Sequence, residues 1–168
     1  YSYAQRLGVR EGFVPVLIQA DDETLLECLV MNADPKNDVD IYEFDLKAVT
    51  EYRKKMLSTP VKDGKTVLEE LTGQRKEEAE DDDMDWDEEV LGEMEGGEPN
   101  DRFSSYWDDD TEMTYPLILA KIPVKNPWEI FAYLPFGNWN DCPDTPELMA
   151  AAKYWFEQYG AVPAAMSH

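Results

Sequence analysis

The residues whose types and spacing could do chemistry crowd into one stretch, residues 135–143, where Phe136, Asn138, Trp139, Asn140, Asp141 and Cys142 lie between Pro135 and Pro143. Two amides, a carboxylate and a thiol just ahead of a helix start form the kind of loop that holds ligands in α/β folds. Asp141, Cys142 and Asp144, with the lone His168, are the candidate catalytic residues of a hydrolase-like or metal-assisted site. Phe136, Asn138, Trp139 and Asn140 are candidate binding residues of the same loop. Against catalysis stands the charge around the thiol, because a nucleophilic Cys is activated by a basic neighbour or a bare helix N-terminus. Cys142 is flanked instead by Asp141, Asp144 and Glu147, while Pro143 and Pro146 remove backbone donors. A Cys142/His168 pair is therefore the weaker reading and a structural cysteine the more usual one. The loop as a whole has the same alternative, with Phe136 and Trp139 plugging the core and Asn138 and Asn140 bonding a tight backbone. Its acidity also argues against a phosphate cradle.

A second candidate lies in residues 77–98, which hold 13 acidic and no basic side chains. Such a block repels itself and ordinarily forms a solvated loop, here an acidic insert whose removal should leave folding intact. Trp86, Val90 and Leu91 interrupt it. With Asp85 as a cap, Trp86 and Val90 fall four apart on one helical face. An apolar anchor in an acidic segment has the form of a docking element, with Trp86 as its binding residue. The carboxylates do not spell a calcium loop: counted from Asp81, the sixth position, a glycine in the EF-hand pattern, is Trp86, and the twelfth is Gly92. No metal and no cofactor is expected.

The whole chain of 168 residues sets 15 Lys and Arg against 37 Asp and Glu, a net charge of −22, with 43% hydrophobic residues. That hydrophobic fraction fills a core, which excludes a wholly disordered acidic chain. The negative field repels phosphate backbones and anionic lipid, so neither direct nucleic-acid binding nor membrane binding is expected. The apolar runs fall short of the ~20 residues that span a bilayer. Cys28 and Cys142 lie far apart without metal-ligand spacing, so reduced thiols and a cytoplasmic location are expected.

The elements that must position the loop follow from local signals. Residues 13–19 read as a buried strand, pushed toward a sheet edge by Pro15. Asp21 or Asp22 caps a helix to about Asn32, and residues 39–44 alternate as a half-exposed strand. Asp45 caps the next helix, whose inward stripe is Leu46, Val49, Tyr52 and Met56, closed by Ser58-Thr59-Pro60. After the Asp63-Gly64 turn, Thr66 caps a helix containing Val67, Leu68 and Leu71. Residues 115–122 read as a strand, and Asn126-Pro127-Trp128-Glu129 opens a short helix. Asp144-Thr145-Pro146-Glu147 opens another, with Leu148, Ala152, Trp155 and Tyr159 at helical spacing up to Gly160. Residues 161–166 read as a last strand. The expected fold is α/β or α+β, a single domain over residues 1–168 with a mixed sheet flanked by helices.

Trp128-Glu129, Ala132-Tyr133, Pro135-Phe136-Gly137, Trp139 through Pro143, Tyr154-Trp155 and Tyr159-Gly160-Ala161 together resemble bacterial proteins of the domain of unknown function 4253 family. The resemblance covers roughly residues 115–168. It implies a compact α/β domain and, the family's activity being uncharacterised, carries over no catalytic residues. Family members continue past the position of His168, so the resemblance implies a truncated end and the loss of any site completed by later residues.

These features favour an acidic interaction protein over an enzyme. Its partner is expected to be a protein, basic in the case of an immunity- or inhibitor-like role, steered by the acidic field. A hydrolase-like or metal-assisted enzyme using the Asn140-Asp141-Cys142 loop is the first alternative. Mimicry of nucleic acid is the second, and it is weaker because the charge clusters instead of striping the surface. The oligomeric state is left open by the sequence.

Overall fold

Branched and apolar side chains from Val14 to Ile18 favour an extended chain, and β1 (Val14–Gln19) is the middle strand of a three-stranded sheet. The computed structural model describes residues 1–20, 45–92, 106–108, 110–137 and 142–166. The helix expected up to Asn32, the strand expected over residues 39–44, and Asn138, Trp139, Asn140, Asp141 and His168 lie outside them. β4 (Leu117–Ile122) pairs antiparallel with β1, from Val14 opposite Ile122 to Gln19 opposite Leu117. β5 (Ala165–Met166) pairs parallel, with Leu17 opposite Ala165 and Ile18 opposite Met166. The sheet is mixed, as expected. The last strand, however, is confined to two residues.

Pro15 does not place β1 at an edge. The Leu17 amide donates to the Ala164 carbonyl at 2.9 Å, so residues 15, 17 and 19 turn their backbone groups away from β4. On that side the Pro15 carbonyl accepts the Tyr1 hydroxyl at 3.3 Å, and the pairing with β5 begins only at Leu17. The missing N–H of proline therefore interrupts no ladder bond, and a middle strand tolerates it.

Before β1 comes a helix that the sequence reading did not anticipate, α1 (Ser2–Glu11), ended by Gly12 in the left-handed region at φ 80°. It is laid against β1 through Gly8, where a Cβ would stand 2.3 Å from the Phe13 carbonyl oxygen. α2 (Leu46–Ser58) starts as expected at Asp45, whose Oδ1 accepts from the amides of Lys47 at 2.8 Å and Ala48 at 3.1 Å. Val49 and Met56 are buried, whereas Leu46 is exposed, because the packed surface begins only at Val49.

α3 (Gly64–Asp81) is capped by Asp63, not Thr66: Asp63 Oδ1 accepts from both the Thr66 amide and the Thr66 hydroxyl at 2.9 Å. The helix runs into the acidic block instead of stopping before it. Ion pairs along its side, Lys65 with Glu69 and Arg75 with Glu78, offset part of the repulsion. Ala79 is buried, which gives the last turn a packed contact. The chain then reverses through Asp83 at φ 57°, with the Met84 amide on the Ala79 carbonyl at 2.8 Å, into a π-helical turn, Trp86–Leu91. The first part of the acidic block, expected as a solvated loop, is thus helical and folded back on α3.

A small ribbon, β2 (Trp107–Asp108) against β3 (Met113–Thr114), precedes β4. Beside it the buried Tyr106 donates its hydroxyl to the carbonyls of Leu17 and Met166, tying β1 to β5. After β4 a 3₁₀ helix (Pro127–Ala132) opens where Glu129 Oε2 accepts from the Asn126 amide at 3.0 Å. α4 (Thr145–Tyr159) follows and ends at Gly160, φ 68°. Two apolar clusters hold these parts together: Val16, Ile18, Ile122, Val124, Ile130 and Met166 at the sheet, and Met56, Ala132 and Met149 between helices. Phe131 and Tyr133 pack against both. The buried face of α4 is Met149 and the alanines 150–152, not the stripe ending in Trp155 and Tyr159, which are 46% and 75% exposed. Small residues are needed there because α3 comes close: a Cβ on Gly64 would stand 2.2 Å from the Ala150 carbonyl oxygen.

Candidate functional site

The loop with the chemistry-bearing residues is closed at its base by a backbone contact. A Cβ on Gly137 would lie 1.7 Å from the Pro143 carbonyl oxygen and 2.9 Å from Leu148 Cδ1, so only glycine fits. Pro135 and Gly137 are buried, and Phe136 is half-buried against the sheet cluster. Of the loop's candidate residues, the structure places Phe136 in packing and Cys142 half-buried at the other end of the closure.

Asp144 has a structural occupation. Its Oδ1 accepts from the Glu147 amide at 2.9 Å, and Glu147 Oε2 accepts in return from the Asp144 amide at 3.1 Å, a complete capping box. Glu147 also reaches Lys62 Nζ at 3.7 Å through Oε1. Both carboxylates are thus engaged by the helix start. Between them the buried Thr145 hydroxyl accepts from Tyr52 on α2 at 2.6 Å. Burial pushes the Tyr52 phenol above its ordinary pKa, the Thr145 contact pulls it down and the Asp144 charge raises it further. Among the described residues no group of three or more His, Cys, Asp and Glu gathers to hold a metal ion.

What the geometry does assemble is apolar. A groove of about 450 Å³ runs between α3 and α4, walled by Leu68 and Leu71 on one side and Leu148, Ala151, Ala152 and Trp155 on the other. Phe131, Val162 and Pro163 also line it, and Pro143 and Glu147 lie at the end where α4 begins. Three of the residues at helical spacing in the sequence, Leu148, Ala152 and Trp155, line this groove. Sequence reasoning missed the groove because it forms only when two helix stripes meet across alanines. Its one signal was the run Ala150-Ala151-Ala152 beside large apolar residues. Beyond Trp155, Phe156 is 37% exposed and tilts against Trp128 with ring centroids 5.4 Å apart.

Trp86 is half-buried, and Lys76 Nζ of α3 lies 5.0 Å from the centre of its ring. Asp85 Oδ1 caps the π-helical turn, accepting from the Asp87 and Glu88 amides at 2.9 and 2.8 Å. The Trp has local company that the sequence did not suggest. Because that turn carries an i→i+5 bond from the Val90 amide to the Asp85 carbonyl, it is wider than the α-helix assumed for Trp86 and Val90.

No helix among the described residues is long and apolar enough to cross a membrane. Comparison with curated proteins and with solved structures gives no match. One family model does match, over the segment that supplies β4, the 3₁₀ helix, the closed loop and the α4 wall of the groove: residues 118–168 match the family described as Domain of unknown function (DUF4253).

Proposed function

We propose that the protein is an acidic interaction module of the bacterial cytoplasm whose docking site is the α3–α4 groove. One observation carries this reading: the groove's lining is apolar except for Glu147, and it opens beside the exposed Trp155. Aromatic residues at the mouth of an apolar cleft supply most of the binding energy in protein interfaces. The net charge of −22 selects the partner, a protein segment that presents an apolar side chain flanked by Lys or Arg, in the manner of an immunity or inhibitor pair. The catalytic alternative has less support, since Asp144 and Glu147 are engaged in the capping box.

Peptide display against the protein tests the reading. Selected peptides are expected to carry a large apolar residue next to basic ones, to bind more weakly as salt rises, and to lose about tenfold or more in affinity to the Trp155→Ala variant. Binders indifferent to both salt and Trp155→Ala would overturn it.

A further inference from the structure

Among the described residues, β4 has a strand partner on one side only, β1. The Ala20 amide donates to the Pro116 carbonyl at 2.8 Å, which fixes the parity of the ladder: Ile118, Ala120 and Ile122 face β1 with their backbone groups. Leu117, Leu119 and Lys121 therefore turn theirs outward, and no hydrogen bond to another described residue satisfies them. Side chains on both faces of this edge are exposed, Ile118 by 48% and Leu119 by 43%. An open apolar edge is a template for strand addition, which folded proteins normally blunt.

We propose that this edge joins two copies of the chain, β4 pairing antiparallel with β4 of the second copy about a two-fold axis at Leu119. The register about that axis is self-complementary. Leu119 faces its own counterpart, Leu117 faces Lys121, and on the other surface the large Ile118 faces the small Ala120, with no like charges directly opposed. The outward groups of Leu117, Leu119 and Lys121 all fall in hydrogen-bonded pairs. Charge points to the same place. Residues 113–128 hold Lys121 and Lys125 and no Asp or Glu, the longest carboxylate-free run in a chain of net charge −22. It is where two such molecules meet with least repulsion. Pro116 and Pro123 bracket the strand and limit the pairing to its six residues. The contact is isologous and so closes as a dimer.

This surface is separate from the groove, and salt distinguishes the two. Screening weakens a basic partner in the groove but strengthens association of two acidic copies. Sedimentation of the full chain across protein and salt concentration is expected to show the 19.3 kDa mass double, more readily at high salt. The Leu119→Pro variant deletes an outward N–H that bonds no described residue of its own chain, so dilute protein is expected to keep its melting temperature while the dimer dissociation constant rises about tenfold or more. Ile118→Lys is expected to do the same through charge. Hydrogen exchange at the Leu117, Leu119 and Lys121 amides should slow as protein concentration rises. A monomer at every concentration and salt, a dimer indifferent to both substitutions, or amides protected to the same degree at all concentrations would each overturn the proposal.

Discussion

The Tyr52 hydroxyl donates to Thr145 Oγ1 at 2.6 Å, joining the middle of α2 to the first residue of α4 across 93 positions of sequence. It is the described side-chain hydrogen bond that pins the α4 N-terminus to another helix, with Thr145 only 4% exposed. Tyr52→Phe keeps the ring and leaves a buried hydroxyl without this donor. The variant should lose about 1 kcal/mol in urea unfolding. A raised phenol pKa means that the fold favours the neutral form, so the associated stability is fully present below the ordinary Tyr value and is lost as pH rises beyond it through the raised folded value. Tyr52→Phe should flatten part of that alkaline decline; among the described residues Tyr1 and Tyr106, which burial also raises, contribute further parts. An unchanged alkaline profile would refute the assignment.

Gly137→Ala tests the closed base of the loop. The new methyl would meet the Pro143 carbonyl, a backbone atom that cannot step aside, and about 2 kcal/mol or more of stability should be lost. Gly12→Ala is the control: it sits at φ 80° with open space around its Cβ position, and should lose only ~1 kcal/mol through backbone strain. Equal melting temperatures for the two variants would contradict the close approach.

At the acid end the Asp63 cap should be visible. Hydrogen bonds from the Thr66 amide and hydroxyl hold its carboxyl below the usual Asp range, with Lys65 and Lys153 helping. A depressed pKa contributes stability above the unfolded value that disappears as pH falls through the folded one. Asn caps a helix nearly as well but does not titrate there, so Asp63→Asn should match the parent near neutrality and lose less on acidification. Parallel acid-denaturation curves for the two proteins would count against it.

Trp86 and Lys76 should be energetically coupled by about 0.5–1 kcal/mol, as exposed cation–π pairs are. Trp86→Ala is expected to speed hydrogen exchange over residues 76–91 without lowering the midpoint of global unfolding. Global destabilisation would mean that this turn belongs to the main core.

Elements with local punctuation were legible in the sequence. Asp45, the Asn126–Glu129 pair and the Asp144–Glu147 box each announce a helix start through side chains within four residues, and the structure has helices at all three. α1 was not legible: Tyr1 makes no capping bond, and the helix rests on the contact of Gly8 with Phe13, which is tertiary packing at a turn. Position within the sheet was illegible for the same reason. Pro15 argues for an edge only if its nitrogen faces a neighbour, and which side it faces depends on a partner 150 residues away. Charge counting does not show that α3 continues to Asp81, because Arg75–Glu78 pairing and the burial of Ala79 are properties of the folded helix. The groove is the sharpest case. Trp155 and Tyr159 have the spacing of a core stripe, and their exposure is decided by how closely α3 approaches the alanines of α4.

The placement of β1 between β4 and β5 has a consequence for synthesis on the ribosome. β1 is translated before both strands that cover its flanks, which are encoded beyond residue 116 and beyond residue 164. Until they emerge, Val16, Leu17 and Ile18 form an apolar segment of strong β propensity with no mate, the condition in which a nascent chain sticks to its neighbours. Non-local pairing of this kind also slows closure of the sheet. The order of translation therefore makes β1 a natural binding segment for a chaperone, and makes the docking of β5, sealed by the Tyr106 hydroxyl, a late step in reaching the native state.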